Sequence, residues 1–481
     1  MGKERKAVVL GGGIRMQYSV VKYTDVLHQE DLRFDADYYK PQYLTEDAQL
    51  NKFERLQLGD VAFVTDGQHG YHEVDDESPI LHLTAKNAKN WFATSIGADR
   101  IAKWVDDNNK RSSLKENDLI LSTRGTVGYC AIVTKDVLPS NIDQDVARIA
   151  IDSKISIPEY ALTFLNCQYG QDWLQRNITG MVQQGLSLQK VRRVPIPILN
   201  LRFQETIKAS VLYAYKAKKD SENYFEQAQK IILSELGLSS WQPIHQLTFV
   251  KNYSDTEAAQ RADAEYYQPK YEEIEKAIKN YSGGFSTIRH EFKQNKSIFK
   301  IDDEKLYQYV EIGSVNVSNG EVTPNELLGS ELPANAKRVL RKNDVIVSKV
   351  RTYRGAITII EEKGYIGSGA FTVLKENGQI NKETLLAFLH SKPLLAWSLK
   401  PNTGTSYPVI VDNDILNLRI PVLSKKIQTQ IQQKVTESFN LRKQSKHLLE
   451  CSKRAVEMAI EQDEQKAINW LKEQTRDIEV H

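Results

Sequence analysis

Residues Arg33–Tyr43 read R-F-D-A-D-Y-Y-K-P-Q-Y, and a similar sequence, R-A-D-A-E-Y-Y-Q-P-K-Y, recurs at Arg261–Tyr271. Seven of the eleven positions are identical, and the offset between the copies is 263 − 35 = 228 residues. Self-similarity at one large offset indicates a duplicated unit of fold. The chain has 481 residues, too many for one ordinary domain, and this length favours two or three domains.

A second pair of motifs follows at nearly the same offset. N-D-L-I-L-S at 117–122 matches N-D-V-I-V-S at 343–348, and each copy continues through Arg and Gly into a β-branched run. An Asp turn, an apolar run, a Gly break and another apolar run are typical of two strands joined by a tight turn.

Two further pairs are helical. Residues 160–174 and 384–399 each contain Phe-Leu and then Trp, and each is followed by Thr-Gly and Ile-Pro. Residues 201–238 and 424–477 lack Pro and place apolar residues three to four positions apart. This spacing predicts long amphipathic helices that pair as a coiled coil. Between them, 58–114 and 288–340 show no match, so a frame repeats while one stretch in each half does not.

The motifs D-A-x-Y-Y-x-P-x-Y, N-D-L-I-L-S-x-R-G-x-x-G and T-G-x-x-x-x-G-L-S, in this order, resemble the specificity (S) subunit of Type I restriction–modification systems. The resemblance runs from about Tyr18 to the C-terminus. The second half departs from the pattern, because its turn becomes R-T-Y-R-G at 351–355 and T-S-Y-P at 405–408 replaces G-L-S.

The resemblance implies a mixed α+β fold with two α/β target-recognition domains in a pseudo-twofold repeat, separated by two long antiparallel coiled-coil helices. The expected parts are a leader at 1–17, target-recognition domain 1 at 18–200, spacer helix 1 at 201–240, target-recognition domain 2 at 241–423 and spacer helix 2 at 424–481. Met16 is an alternative start to Met1.

The resemblance also implies a non-catalytic subunit that reads a bipartite, asymmetric site in double-stranded DNA. Such a subunit docks two copies of an adenine methyltransferase, and nuclease–translocase subunits can join. A helix of ~35 residues is ~50 Å long, which is enough to hold two readers in major grooves ~34 Å apart. The unrepeated stretches 58–114 and 288–340 are then candidates for base readout, because each half must read different bases. No cofactor, catalytic residue or metal ligand is expected.

Charge supports DNA binding locally and not in bulk. The net charge is only +2, whereas 337–354 contains seven Lys/Arg against one acid and 100–124 contains six against four.

Polar and basic side chains in the predicted turns are the candidate DNA contacts, since Arg suits guanine or phosphate and Asn suits adenine. In the first half they are Lys86, Asn87, Lys89, Arg124, Thr179, Gln183, Gln184 and Ser187. In the second half they are Lys349, Arg351, Arg354, Thr403, Thr405, Ser406 and Tyr407. For each of them the alternative is an exposed turn residue that binds nothing.

Two other classes of function stay open. A stand-alone DNA-modifying enzyme would need a glycine-rich cofactor loop, an N/D-P-P-Y/F motif or clustered carboxylates, and the chain contains no Pro-Pro. A coiled-coil scaffold without a nucleic-acid role is disfavoured by the basic stretch at 337–354. The spacing of His69, His72 and Glu73 is not that of a metal motif. Three scattered cysteines and the absence of a long apolar run predict a cytoplasmic protein without a membrane segment.

Overall fold

The computed structural model describes residues 8–10, 14–16, 18–27, 32–70, 72–180, 185–317, 320–402 and 407–478. The chain divides into two compact units: unit 1 comprises Met1–Ala217 with Lys443–His481, and unit 2 comprises Lys218–Arg442. Both units combine helices with sheets, so the predicted mixed α/β fold is confirmed. None of the helices in the described ranges is long and apolar enough to cross a bilayer.

The described part of unit 1 is built on an antiparallel sheet of order β4-β10-β7-β8, beside the pairs β1–β2 and β3–β11 and a separate sheet of order β6-β5-β9. Its strands are β1 (Val8–Leu10), β2 (Ile14–Met16), β3 (Arg55–Gln57), β4 (Ala62–Asp66), β5 (Leu81–Leu83), β6 (Asp99–Arg100), β7 (Leu119–Ser122), β8 (Cys130–Ile132), β9 (Ser140–Ile142), β10 (Val146–Ile151) and β11 (Pro195–Pro197).

The described part of unit 2 is built on an antiparallel sheet of order β13-β20-β17-β18, beside the pair β12–β21 and a sheet of order β15-β14-β19-β16. Its strands are β12 (Phe285–Thr287), β13 (Phe292–Gln294), β14 (Leu306–Val310), β15 (Asn325–Leu328), β16 (Ala336–Val339), β17 (Val345–Ser348), β18 (Ile357–Ile359), β19 (Tyr365–Ser368), β20 (Phe371–Glu376) and β21 (Arg419–Pro421).

Helices lie between and after these strands along the chain. They are α1 (Tyr23–Leu27), α2 (Pro41–Leu50), α3 (Leu58–Val61), α4 (Lys103–Asn108), α5 (Pro158–Asn166), α6 (Gln168–Arg176), α7 (Leu188–Arg192), α8 (Leu201–Glu235), α9 (Tyr253–Ala259), α10 (Pro269–Lys279), α11 (Ile288–Glu291), α12 (Lys382–Leu389), α13 (Lys392–Trp397), α14 (Asp412–Asn417), α15 (Lys425–Glu461) and α16 (Glu464–Gln474). Short 3₁₀ turns lie at Ala36–Tyr39, Ala85–Ala88, Lys135–Val137, Ile312–Ser314, Gly329–Glu331 and Thr352–Arg354.

The main sheet has the same strand order in both units, and the second sheet does not. The order β4-β10-β7-β8 in unit 1 corresponds to β13-β20-β17-β18 in unit 2, and the pair β3–β11 corresponds to the pair β12–β21. Among the described residues, the second sheet has three strands in unit 1 and four in unit 2. Strands β5 and β6, and strands β14, β15 and β16, belong to the stretches 58–114 and 288–340 that showed no repeat.

The repeated tyrosine motif closes a local turn in each unit. Tyr39 and Tyr267 each donate a hydroxyl hydrogen bond of 2.8 Å, to the carbonyls of Arg33 and Arg261 respectively. The neighbouring ring of Tyr38 lies under a guanidinium of α6, with the Arg176 Cζ 4.1 Å from the ring centroid. These tyrosines contribute to packing, and Tyr38 packs against α6.

The two long helices differ in continuity. Helix α8 ends at Glu235, just before Gly237, whose φ of 68° requires the left-handed region that favours glycine. The segment predicted as one helix over 424–477 forms two helices, because Asp463 breaks it and caps α16 by accepting a 2.7 Å bond from the Lys466 amide.

Serine side chains join the long helices within each unit. In unit 1 the Ser452 hydroxyl donates to Ser210 Oγ at 2.8 Å, and Ser445 donates to the Ala214 carbonyl at 2.7 Å. In unit 2 the hydroxyls of Ser221 and Ser438 lie 3.1 Å apart. In unit 1 the residue numbers in α15 fall as those in α8 rise, so the paired segments run antiparallel there.

Candidate nucleic-acid interface

The repeated Asn-Asp motif forms the turn that begins β7 and β17. Asn117 and Asn343 have φ values of 70° and 74°, which Asn tolerates better than most residues. The carboxylate of Asp118 accepts the Lys115 amide at 2.7 Å, and Asp344 accepts the Arg341 amide at 2.9 Å. The motif therefore fixes where the central strand of each main sheet starts.

The two aspartates are held by different partners. Arg148, on β10, places its Nε 2.7 Å from Asp118, and both side chains are less than a tenth exposed. Asp344 instead accepts a 2.9 Å bond from the side-chain amide of Asn295. The turn is thus fixed by an ion pair in unit 1 and by a neutral donor in unit 2.

The serine at the other end of each strand shapes the turn that carries the arginines. Ser122 donates to the Thr126 carbonyl at 2.6 Å and accepts the Tyr129 amide at 3.0 Å. Ser348 donates to the Val350 carbonyl at 2.8 Å. Both serines are fully buried, so a short polar side chain at this position is required by the turn.

In unit 1 the fold brings the predicted Arg124 turn and the predicted Thr-Gly loop together. The Leu186 amide donates to the Thr123 carbonyl at 2.8 Å, and Thr179 and Gly185 exchange backbone bonds of 3.0 and 2.9 Å. Arg124 itself is 44% exposed, with Asp145 at 3.4 Å as a weak, solvated partner. Ser187 is exposed and caps α7 by accepting the Lys190 amide at 3.3 Å.

Unit 2 shows the same meeting of turn and loop. The Arg351 amide donates to the Pro408 carbonyl at 2.8 Å, and the Ile410 amide donates to the Lys349 carbonyl at 2.9 Å. The Arg351 guanidinium lies 4.5 Å from the ring centroid of Tyr407, whose side chain is exposed. This stack presents a cation and an aromatic face side by side, a combination that suits a nucleic acid.

The cations near this turn differ in whether an acid pairs with them. Lys349 pairs with Asp412 at 3.3 Å. Arg354 is exposed, and within the described part of the chain neither it nor Arg351 has an ion-pair partner. We call Arg124, Thr179 and Ser187 the unit 1 turn site, and Lys349, Arg351, Arg354 and Tyr407 the unit 2 turn site.

The first-half loop after β5 separates its candidates. Lys86 and Lys89 are exposed, but Asn87 is 0% exposed. Its amide donates to the carbonyls of Thr94 and Ile96 at 2.7 and 3.2 Å, and its oxygen accepts the Thr84 amide at 2.8 Å. Asn87 therefore holds the loop in place, and no hydrogen-bonding group of its side chain is left for a base.

Five predicted contacts fall in two short segments outside the described residues, namely Gln183, Gln184, Thr403, Thr405 and Ser406. In the described ranges, His, Cys, Asp and Glu side chains form no group of three that could hold a metal ion.

The basic stretch 337–354 does not form one continuous surface. Strand β17 lies inside it and is fully buried, so Arg341 and Lys342 stand at one end of the strand and the unit 2 turn site at the other. At ~3.3 Å per residue, the four residues of β17 between the two groups are about 13 Å long. The first group joins three lysines that sequence reasoning missed: Lys300, Lys305 and Lys363. No sequence signal marks these three as neighbours, because only strand pairing brings them together.

One segment of the chain is similar to a known family. Residues 51–228 match the family model described as Type I restriction modification DNA specificity domain. The specificity subunit of the Type I restriction enzyme EcoBI from Escherichia coli is 30% identical over 118 residues, which are 24% of this chain and 25% of that protein. The match thus spans about a quarter of that relative. The resemblance drawn from the repeated motifs is confirmed.

Two solved structures align over most of the chain. The S subunit of a Type I restriction–modification system from M. genitalium shows 13% identity and a TM-score of 0.38, with 87% of this chain and 96% of that chain covered. The HsdS subunit from Thermoanaerobacter tengcongensis shows 14% identity and a TM-score of 0.27, with 85% and 97% covered. TM-scores this low do not establish a shared fold.

Proposed function

We propose that the chain is the specificity subunit of a Type I restriction–modification complex, because residues 51–228 match the family model described as Type I restriction modification DNA specificity domain. In this proposal it recognises a bipartite, asymmetric sequence in double-stranded DNA and performs no chemistry itself. Its partners are two copies of an adenine DNA methyltransferase subunit, to which nuclease–translocase subunits can be added.

The observation that carries the proposal is the contrast between the two sheets. The main sheet keeps one strand order in both units and delivers an arginine turn against a neighbouring loop each time. The second sheet differs in strand number and is drawn largely from the unrepeated stretches. Two similar frames with different inserts suit a protein whose halves bind DNA in the same way while reading different bases.

The long helices support the bipartite part of the proposal. Helices α8 and α15 contain 35 and 37 residues, which corresponds to about 50–55 Å each at ~1.5 Å per residue. We propose that target-recognition domains at 18–200 and 241–423 are joined by spacer helices at 201–240 and 424–481 in an antiparallel coiled coil. The serine contacts between α8 and α15 in each unit support this pairing. The helices would then fix the length of unread DNA between the half-sites.

The proposed DNA contacts are those predicted side chains that the fold leaves available. In the described residues they are Lys86, Lys89, the unit 1 turn site and the unit 2 turn site; Gln183, Gln184, Thr403, Thr405 and Ser406 remain candidates from sequence. Arginines at both turn sites would contact guanine edges or phosphates. Asn87 is left out because its side chain is fully used inside the loop.

The test is to co-express the chain with the methyltransferase subunit of its own system and to locate methylated adenines in the host DNA. We expect a split motif with a fixed spacer that disappears when this chain is deleted. Exchanging 58–114 for the corresponding stretch of a relative should change one half-site and leave the other intact. A matched control is Lys276→Ala/Lys279→Ala on α10, which replaces two exposed lysines outside the proposed contacts.

Two outcomes would contradict the proposal. A change in both half-sites after the exchange would exclude two independent readers. Absence of methylation, together with the absence of a complex on gel filtration, would favour a coiled-coil scaffold, whereas turnover by the purified chain alone would favour a stand-alone DNA-modifying enzyme.

A further inference from the structure

The second sheet of unit 2 carries a concave surface that is strongly basic. Its volume is about 590 Å³, and its cations are Lys300, Lys305, Arg341, Lys342 and Lys363. Its apolar floor is formed by Phe299, Leu306, Tyr307, Val339, Leu340, Tyr365 and Ile366, with Gly364 between them. We call this surface the cationic cleft.

Strand direction explains why cations distant in sequence meet there. Strands β14 and β19 are parallel, so Lys305 and Lys363, which lie just before them, come to the same end of the sheet. Strand β16 is antiparallel to β19, and therefore Arg341 and Lys342, which follow β16, reach that same end. The cleft is thus a product of a sheet whose strand order does not recur in the described part of unit 1.

The cations in the cleft are not compensated by acids. None of the Asp and Glu residues that the structure describes lines it, although Asp302, Asp303 and Glu304 precede Lys305 along the chain. Within the described residues, Lys300, Lys342 and Lys363 have no ion-pair partner, and all three are exposed. The guanidinium of Arg341 donates to the hydroxyl of Ser297, at 3.2 Å. Five like charges around one concavity repel one another, so an anionic ligand would relieve an electrostatic cost.

The floor and the rim together indicate the kind of anion. Tyr307, Leu340 and Ile366 are buried and give the cleft an apolar base, while the charges stand at its edge. Deoxyribose can contact such an apolar floor, while phosphates contact the lysines and the arginine at the rim. The cations offer donors only, and a donor-only rim suits phosphate oxygens better than the mixed edges of bases.

We propose that the cationic cleft binds the phosphodiester backbone of the DNA whose half-site unit 2 reads, as an anchor that does not depend on sequence. This inference rests on the proposed function, and it adds a second contact surface to unit 2, at the end of β17 opposite the unit 2 turn site. The turn site would contribute to base recognition, and the cleft would contribute affinity and register.

The test uses the full chain with Lys342→Ala/Lys363→Ala, and Lys276→Ala/Lys279→Ala on α10 as the matched loss of two exposed lysines. Fluorescence anisotropy follows binding to a cognate duplex, and to one with the unit 2 half-site scrambled, between 50 and 200 mM salt. Each lost phosphate contact lowers the slope of log K against log[salt] by about 0.9, so the cleft variant should lose about 1.8. Its salt-induced loss of affinity over this range should be about 12-fold smaller than that of the unaltered chain.

The outcomes separate the anchor from its alternatives. An equal decrease in the salt slope for the cognate and the scrambled duplex, with unchanged urea unfolding midpoints, would support the cleft as a backbone anchor. An unaltered slope, or a slope that the α10 control changes equally, would overturn it, as would selective loss of cognate binding. Complete competition by millimolar ATP would assign the cleft to free nucleotides and would also overturn it. If the unaltered chain does not discriminate the duplexes, the proposed function fails, while the slope remains measurable on either duplex.

Discussion

Replacing Arg148 with Met should strongly destabilise unit 1. The Arg148 Nε lies 2.7 Å from Asp118 and its Nη1 donates to the Arg111 carbonyl at 2.8 Å, in a setting where both charged side chains are less than a tenth exposed. Removal of one partner from a buried pair leaves an uncompensated charge and costs about 3–5 kcal/mol. That loss is a large share of the ~5–15 kcal/mol that stabilises a typical domain.

The magnitude can be checked by a double-mutant cycle with Asp118→Asn. Replacement of both charges should restore most of the stability, because the asparagine oxygen still accepts the Lys115 amide and no bare charge remains. The matched control is Asp344→Asn in unit 2, where the partner is the neutral Asn295, and it should cost only about 0.5–1.5 kcal/mol.

Hydrogen exchange measured by mass spectrometry across a urea series is the suitable assay, because a chain of two units need not unfold in one step. Peptides covering β7 and β17 report each unit separately. With a urea m value of ~2 kcal/mol/M, the β7 midpoint of Arg148→Met should fall by about 2 M. A decrease worth less than ~1 kcal/mol, or an equal decrease in β17, would refute the view that this pair fixes the start of the central strand in unit 1.

Three further predictions concern separate features. Gly67→Ala should cost about 1–3 kcal/mol of unit 1 stability in urea unfolding, because a Cβ would lie 1.8 Å from the Ile142 carbonyl oxygen, whereas Gly313→Ala, with its nearest atom at 3.7 Å, should change little. Burial raises the pKa of Asp143 to about 6, and this carboxylate accepts the amide of Asp145, the partner of Arg124. As the pH falls from ~7 to ~5, protonation of Asp143 removes a negative charge near the unit 1 turn site, so DNA affinity measured by anisotropy should rise. The variant Asp143→Asn should bind DNA more tightly at pH ~7 and lose most of this pH dependence. An unchanged pH dependence in that variant would exclude Asp143 as its cause. Deleting about seven residues from the middle of both α8 and α15 shortens each by ~10 Å and should shorten the methylated spacer by about three base pairs; an unaltered spacer would count against the helices as its determinant.

The repeated frame was predictable because local chemistry determines it. Asn117-Asp118 and Asn343-Asp344 form their turns from their own side chains and backbone, and Ser122 and Ser348 organise the next turn within a few residues. Such short-range bonds leave a mark at fixed spacing in the sequence. The paired strands followed from these motifs. The long helix from Leu201 followed from apolar residues spaced three to four positions apart, and the mixed fold from the family resemblance.

Features made by distant residues were not predictable. Arg148 reaches Asp118 only because β10 pairs with β7, and the cationic cleft collects side chains from Lys300 to Lys363 through strand pairing. Asn87 resembled a DNA contact because polarity in a loop gives no indication of burial. The basic stretch 337–354 was misleading for a related reason, since counting charges along the chain ignores the buried strand between them.

The composition of unit 1 has a consequence for how the chain folds as it is made. Its apolar core includes Leu448, Val456 and Ile468, which come from the end of the chain, together with Leu119, Phe164 and Ile207 from its first half. Unit 2 is continuous in sequence, from Lys218 to Arg442. During translation, unit 2 can therefore complete its core while residues 1–217 still lack the last helices of theirs. A product released at Arg442 would contain every residue of unit 2, yet it would leave the earlier-made half of the chain with an open hydrophobic face for chaperones and proteases to recognise.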